Sequence, residues 1–548
     1  MADIPARKTD REPGGGELGE RPGLPLALFA ATALAIAGFW AWLGAAVPMP
    51  QAAGAGEKLY CVSYAPFRGG QSPLVAGTMI SAAQIDEDLA HLATMTNCVR
   101  VYSVDFGLDQ IAGLAQKHGL KVIQGLWLSS KRDKNREQIE GAVTLANRYP
   151  QTIIAVVVGN EVLLRGELSA DDVAAAMREV KSRVSVPITY ADVWEFWLRN
   201  RRLADIADFV TIHILPYWED EPIAAEHAAA HVDSIRARVA KEFPGKEILI
   251  GEVGWPSAGR MREGALPSPS NQARVVQEVL AAAKRGNYHA NIIEAFDQPW
   301  KRALEGTVGG HWGLFFDAGR TAKFKLGMPV SDHPFWIVQA GGGVLFAMLV
   351  FGAALFGGRR NGDMAQWLGV AFCAAAGGAL IGWTIENLPL ESLGTGGWLR
   401  SLVLAATALT AAPLCAVMLM RQTPLPRLSS VLAKPRAEDT LTRGAGALMT
   451  VTLAVAIVVA LGLAFDPRYK DFPFAPLTGA IVPLLAVSLL VPGEGRRGVA
   501  ELTGGALLAA SAAYIVANEG FANWQSLWFC AALAALAVIL VRVRGARD

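Results

Sequence analysis

The stretch that decides the fold is residues 153–162, IIAVVVGNEV. Five β-branched residues and an alanine run without a polar interruption, and then come Gly159, Asn160 and Glu161. A continuous apolar run of this length, bounded by Gly-Asn, predicts a strand buried on both faces, as in a parallel sheet. The strand ends by presenting an amide and a carboxylate. Residues 246–252, KEILIGE, end the same way and lead into Val253-Gly254-Trp255-Pro256-Ser257. Two carboxylates at the ends of two parallel strands can converge on one mouth of a barrel.

Outward from these two strands, residues 58–335 alternate strand and helix patterns. The predicted strands are 59–64, 98–102, 121–126, 153–160, 187–191, 209–215, 247–252 and 291–296. Between them, Ile85, Leu89 and Leu92 share one helical face, and Val173, Met177, Val180 and Val184 another, after a Ser169 cap. Eight strands separated by helices match an α/β fold of the (β/α)8 TIM-barrel class in count and size. A doubly wound open sheet would also alternate, but eight repeats without a Gly-rich phosphate loop favour closure. The last helical stretch, 301–327, is broken by glycines.

Composition divides the chain. Hydrophobic residues make up 52% and charged residues 18%, and most of the charge lies before about residue 335. Residues 1–23 are polar and expected to be a disordered cytoplasmic tail. Residues 24–47 form an uncharged apolar run long enough to span a bilayer. A cleaved signal peptide competes with that reading, because small residues follow at Ala52–Ala55; the length of the run favours a retained anchor. After residue 335, apolar runs at 337–356, 364–385, 401–420, 445–465, 474–491, 502–517 and 524–541 predict an all-α polytopic region of seven spans, followed by a short tail, 542–548.

Cations alternate between the connecting loops. Arg359 and Arg360; Arg421, Arg427, Lys434, Arg436 and Arg443; Arg496 and Arg497; and Arg542 and Arg544 fall on every second side, with Arg468 and Lys470 the exception on the other. The positive-inside rule then places both termini in the cytoplasm and the barrel across a bacterial inner membrane, in the periplasm. The span interiors carry no ionisable residue, which argues against proton-coupled transport and for an anchor or a docking surface.

The net charge of +1 gives no reason to expect a nucleic-acid partner. No CxxC or HExxH occurs and the eight His are scattered, so neither a metal nor a cofactor is expected. Cys61 and Cys98 open adjacent predicted strands, where a disulfide and a buried pair of thiols are equally open readings. Cys373, Cys415 and Cys530 lie in apolar runs.

Barrel enzymes place their catalytic groups at the C-terminal ends of strands. Paired carboxylates there suit glycoside hydrolysis: one protonates the leaving oxygen, and the other attacks the anomeric carbon or activates water. The bland alternative makes Glu161 and Glu252 polar residues where strands reach solvent; two of them, each after a buried strand on the same face, favour catalysis. Asn160 could bind a sugar 2-hydroxyl. Tyr217, after the sixth strand, could donate to the attacking carboxylate and keep it ionised. Of the tryptophans near strand ends, Trp255 and Trp300 are the first candidates for sugar stacking, against packing as the ordinary role. His213 reads as a core histidine.

VVVGNEV and IGEVGWPSAG resemble glycoside hydrolase family 17, with further likeness in VSYAPFRGGQSP (62–73), VRVYS (99–103), FDQPWK (296–301) and HWGLF (311–315). The resemblance implies a retaining β-1,3-glucanase-type (β/α)8 barrel, with Glu161 as acid/base and Glu252 as nucleophile. It adds Tyr64, Tyr102, Phe296 and Lys301 to the substrate-binding candidates. Gln298 departs from many plant members, which have an acidic residue there. The whole arrangement is similar to rhizobial membrane proteins that introduce β-1,6 linkages into periplasmic β-glucan, which implies transglycosylation beside a membrane glucan synthase. The rival readings are a tethered β-1,3-glucan hydrolase, a non-catalytic glucan-binding scaffold of an export complex, and a channel formed by the spans.

Overall fold

The computed structural model describes residues 23–50, 58–358, 362–433, 439–493 and 498–542. The tail before residue 23, the Ala52–Ala55 stretch, and Arg359, Arg360, Lys434, Arg436, Arg496, Arg497 and Arg544 lie outside them.

Eight parallel strands close into one barrel in chain order. They are β1 (Cys61–Ser63), β2 (Cys98–Val101), β3 (Lys121–Leu126), β4 (Ile153–Asn160), β5 (Ile188–Val193), β6 (Val210–His213), β7 (Ile248–Val253) and β8 (Ala290–Ile292). Closure is sealed by β1 pairing with both β2 and β8. A helix α1 (Gly23–Leu43) precedes the barrel. Around it lie α2 (Ala82–Leu92), α3 (Ile111–Lys117), α4 (Arg132–Arg148), α5 (Ala170–Lys181), α6 (Trp194–Arg199), α7 (Ala225–Glu242), α8 (Pro269–Gly286) and α9 (Arg302–Gly309).

The helices form where caps and apolar stripes coincide. Ser169 and Asp172 make a reciprocal capping box at the start of α5, and Val173, Met177 and Val180 turn to the barrel. Ile85, Leu89 and Leu92 do the same on α2. The glycine-broken stretch yields only α9, whose helical path is interrupted at Gly306. The main core lies between strands and helices; a smaller cluster of Cys61, Cys98, Ile123, Val157, Ala191 and Leu249 lies apart from it. Cys61 and Cys98 are joined by a disulfide between β1 and β2.

The second half is all helical: α10 (Trp336–Gly357), α11 (Met364–Glu391), α12 (Gly394–Arg421), α13 (Leu428–Ala433), α14 (Thr440–Phe465), α15 (Phe474–Leu490), α16 (Val499–Glu519) and α17 (Trp524–Val541). Together with α1, they include seven helices long and apolar enough to cross a membrane; α15, with 17 residues, is the shorter apolar helix. A 17-residue helix reaches about 25 Å, the low end for a span. Helices α11, α12 and α16 run past the apolar stretches of the sequence and carry Glu386, Glu391, Arg400, Glu501 and Glu519 in their end turns.

The two halves are joined by more than the chain. The Arg302 guanidinium donates to the carbonyls of Leu390 (2.6 Å) and Ser392 (2.9 Å) at the end of α11. Asn523 donates to the Met261 carbonyl at 3.0 Å, and the Met261 amide donates to Gln525 at 2.8 Å. The C-terminal mouth of the barrel therefore sits against the connecting segments of the helical half.

Candidate active site

The strands deliver their last residues to one mouth, and the pairing register shifts where they do so. Shifts fall between Val157 and Asn160 on β4, between Ile212 and His213 on β6, and between Ile250 and Val253 on β7. Such irregularities re-aim side chains at strand ends. Glu161 follows with a left-handed backbone (φ 52°), a conformation that costs energy away from glycine and is held here by its amide bonding the Ala191 carbonyl at 2.8 Å.

At the centre of the mouth one oxygen of Glu161, one of Glu252 and a ring nitrogen of His213 lie within 4.8 Å of one another. His213 Nδ1 is 2.7 Å from Glu161 Oε1, and its Nε2 is 3.2 Å from Arg100 Nη2. A guanidinium only donates, so Nε2 accepts, and the imidazole proton sits on Nδ1, pointing at Glu161. Gly251 makes room for this ring: a Cβ there would lie 2.4 Å from Thr211 and 3.2 Å from His213.

Arg100 is the keystone. It is 1% exposed, and a charge so buried persists only when paired and hydrogen-bonded. Its Nη1 donates to Glu252 Oε1 (2.9 Å) and to the Gly251 carbonyl (2.7 Å). Its Nη2 donates to Asn160 Oδ1 at 2.6 Å. The Tyr102 hydroxyl adds a second donor to Glu252 Oε1 at 2.8 Å. Burial pushes the Glu252 carboxyl up, but the Arg100 guanidinium, the Tyr102 hydroxyl and Lys301 outweigh it and hold the carboxyl below its ordinary value. Although the Glu161–His213–Glu252 donors would suit a metal, the fixed guanidinium already donates to two of the three, and a second cation there would be repelled.

A second ion pair stands beside the first. Lys301 Nζ donates to Glu294 Oε1 at 2.8 Å. Burial lifts the Glu294 carboxyl to about 7, against the pull of Lys301.

These groups open into a cavity of about 870 Å³, mostly apolar in its lining and within the ordinary range for ligand sites. Glu161, Glu252, Tyr64, Tyr102, Asn160, Trp300 and Lys301 all line it. Three predicted site residues do not. Tyr217 is fully buried, and its hydroxyl donates to the Arg260 carbonyl at 2.9 Å; Tyr102 donates to Glu252 in its place. Trp255 is buried, with its indole NH on the Leu266 carbonyl at 3.0 Å. Phe296 is buried beneath the Arg320 guanidinium. Trp255 and Tyr217 pack edge to face within the main core. The tryptophans that do reach the cavity are Trp127, Trp194, Trp218, Trp300 and Trp312.

Arg100 and the bridging role of His213 were missed in the sequence. A signal for Arg100 existed, since a lone charge inside the apolar CVRV strand requires a partner.

Residues 61–313 match the family model of the BtgE/BtgC glycoside hydrolase domain. The barrel is similar to that glycoside hydrolase domain. It is similar to the glucan 1,3-beta-glucosidase BGL2 of Candida albicans, 26% identical over 276 residues, covering 46% of this chain and 88% of that protein. It is similar to the probable family 17 glucosidase SCW10 of Saccharomyces cerevisiae, 26% identical over 259 residues, covering 46% of this chain and 64% of that protein. Among solved structures, the glycoside hydrolase family 17 beta-1,3-glucanosyltransferase of Rhizomucor miehei aligns with a TM-score of 0.44 and 24% identity, over 50% of this chain and 98% of that one. The family match ends before α10, so it concerns the barrel and not the helical half.

Proposed function

We propose that the chain is a membrane-held retaining β-glucan enzyme acting on β-1,3-linked glucan by transglycosylation. The observation that carries this reading is the approach of Glu161 and Glu252 to within 4.8 Å. Retaining enzymes set their carboxyl groups about 5–5.5 Å apart, whereas inverting ones need roughly 6.5–9.5 Å to admit a water.

Glu252, kept ionised by Arg100 and Tyr102, attacks the anomeric carbon. The glycosidic C–O bond breaks, and Glu161 gives its proton to the leaving oxygen. A glucosyl ester on Glu252 results. Glu161, now a carboxylate oriented by the His213 Nδ1 proton, takes the proton of an acceptor hydroxyl. That oxygen attacks the anomeric carbon and frees Glu252. Lys301, Asn160 and Trp300 hold the sugar beside these groups. Water as acceptor gives hydrolysis, and a glucan hydroxyl gives transfer.

The seven long apolar helices and the sequence's alternating cations support a multi-pass protein in a bacterial inner membrane, with the barrel in the periplasm. A tethered enzyme suits work beside an exporting glucan synthase better than scavenging, and this favours transfer; the resemblance to membrane proteins that introduce β-1,6 linkages makes that the expected bond. The test is incubation of the detergent-solubilised full chain with linear β-1,3-glucan oligomers, resolving products by mass and linkage. Products longer than the substrate, with β-1,6 bonds, are expected. Only shorter reducing sugars at high acceptor concentration would leave a tethered hydrolase.

A further inference from the structure

We propose that the segment joining α14 to α15 is a wall of the glucan cleft, so that the helical half supplies a sugar subsite through Arg468 and Tyr469. This rests on the glucan reading above and deepens it.

Both side chains line the catalytic cavity although they belong to the other half of the chain. Tyr469 is 39% exposed, a large ring left open on one side. Its other neighbours are Trp218, edge to face at 6.1 Å between centroids, and the Arg468 guanidinium, 5.5 Å from its centroid. Arg468 forms no salt bridge among the described residues, so its donors are available. An open aromatic face beside another aromatic and a guanidinium is the chemistry that takes a pyranose: the ring stacks on the C–H face of the sugar, and the guanidinium donates to hydroxyls.

The segment is held rigid, as a binding wall must be. The Arg260 guanidinium donates to the carbonyls of Pro467 and Lys470 and pairs with Glu519 at 2.6 Å, with both side chains buried. Thr307 donates to Asp471 at 2.7 Å. Gly306 passes so close that a Cβ there would lie 2.3 Å from the Tyr469 carbonyl oxygen. These anchors come from the loop after β7, from α9 and from α16, so the barrel and the helices share the clamp. The position also explains Arg468, a cation on the side of the membrane that the positive-inside rule keeps sparse.

Tyr469 contacts Trp218 and Arg468 rather than the two glutamates, so it would bind glucosyl units away from the bond being broken. Such remote contacts are felt by long substrates and not by truncated ones.

The experiment uses the full chain in detergent and measures kcat and KM for linear β-1,3-glucan oligomers of increasing length, on wild type, Tyr469→Ala, Tyr469→Phe and Arg468→Ala. Tyr469→Ala is expected to lose kcat/KM by a factor that grows with oligomer length to about tenfold, the worth of one good aromatic contact. Tyr469→Phe should retain most of it, with the pH profile unmoved. A length dependence identical to wild type overturns the proposal. So does an equal loss at every length together with a lowered melting temperature, which would make the segment purely structural. Calorimetric binding of the same oligomers to Glu252→Gln, with and without Tyr469→Ala, separates the two failures. Equal affinities overturn the subsite alone, whereas no binding at all overturns the glucan reading with it.

Discussion

The barrel and the helical half both bury charge, and they bury it in opposite places. In the barrel, Arg100, Glu252, Glu294 and Lys301 sit at the mouth, each against an opposite partner, around one cavity. In the helical half every charge of the long helices lies in the first or last two turns: Glu386 and Glu391 on α11, Arg400 and Arg421 on α12, Arg443 on α14, Glu501 and Glu519 on α16. Desolvating a charge costs several kcal/mol even after relaxation, so it survives only where a partner is held in place. The barrel bears that cost where bonds would be broken; the helices avoid it along their middles. Buried charge therefore gathers around the cavity in one half, besides structural pairs such as Asp297–Lys323 and Arg260–Glu519, and marks the ends of an apolar layer in the other.

The strongest way to break that contrast is Glu252→Gln. The neutral amide keeps the shape but cannot attack. Turnover should fall by on the order of a thousandfold or more, and the melting temperature should fall with it, because the amide leaves the buried Arg100 guanidinium without its counter-charge. Activity near wild type would reduce the Arg100 cluster to a structural ion pair and favour a binding scaffold.

Arg100→Met is next. It strands Glu252 in the interior without its guanidinium, and breaking a buried pair from one side costs about 3–5 kcal/mol. The pH dependence has a definite sign. Glu252 is held below its ordinary value, so its contribution to stability is present above the unfolded carboxylate range and is lost as pH falls through the depressed value. Without Arg100 that acid loss should begin at higher pH, and the acidic limb of the pH–rate profile should move up with it. Acid unfolding curves that superimpose would refute this account of Glu252.

How far these features were legible in the sequence follows from what fixes them. The apolar runs before Gly159 and Gly251 place two strand ends, and eight strand–helix repeats without a Gly-rich phosphate loop favour a closed barrel around them over an open sheet. Arg100, Tyr102 and His213 meet Glu252 only because β2, β6 and β7 are brought to one mouth by closure and by register shifts, which no local pattern encodes. The neighbourhood of Trp255 in the chain misled for the same reason: a residue three positions after Glu252 is already beneath the mouth rather than in it. Arg468 stood out only as an exception to the charge rule, and its place in the cavity depends on contacts some 200 residues away.

Glu294 sharpens the contrast through pH. Burial lifts its carboxyl to about 7 from its ordinary value of 4.5, with Lys301 opposing. A raised carboxyl contributes stability that is fully present below the unfolded value and fades as pH rises toward about 7. That difference amounts to about 3 kcal/mol at most. Glu294→Gln has no proton to lose, so wild type should lose stability relative to it between about pH 4.5 and 7. Thermal unfolding of both proteins across that window checks this, and a constant difference would place Glu294 in an ordinary ion pair.

The smallest effect belongs to the helical half and closes the comparison. Glu501 is 4% exposed, against 5% for Glu252, so burial alone would predict equal costs. Their settings differ. Glu501 lies in the first turn of α16 and accepts from the Ser429 amide (2.8 Å) and hydroxyl (2.9 Å). A carboxylate at a helix N-terminus gains roughly 0.3–1 kcal/mol from its charge, and a glutamine oxygen can still accept both Ser429 donors. Glu501→Gln should therefore cost about that much in thermal unfolding and leave turnover intact. A loss near that of Arg100→Met would mean that the helical half, too, depends on a buried charge for more than its boundary, and the division between the two halves would fall.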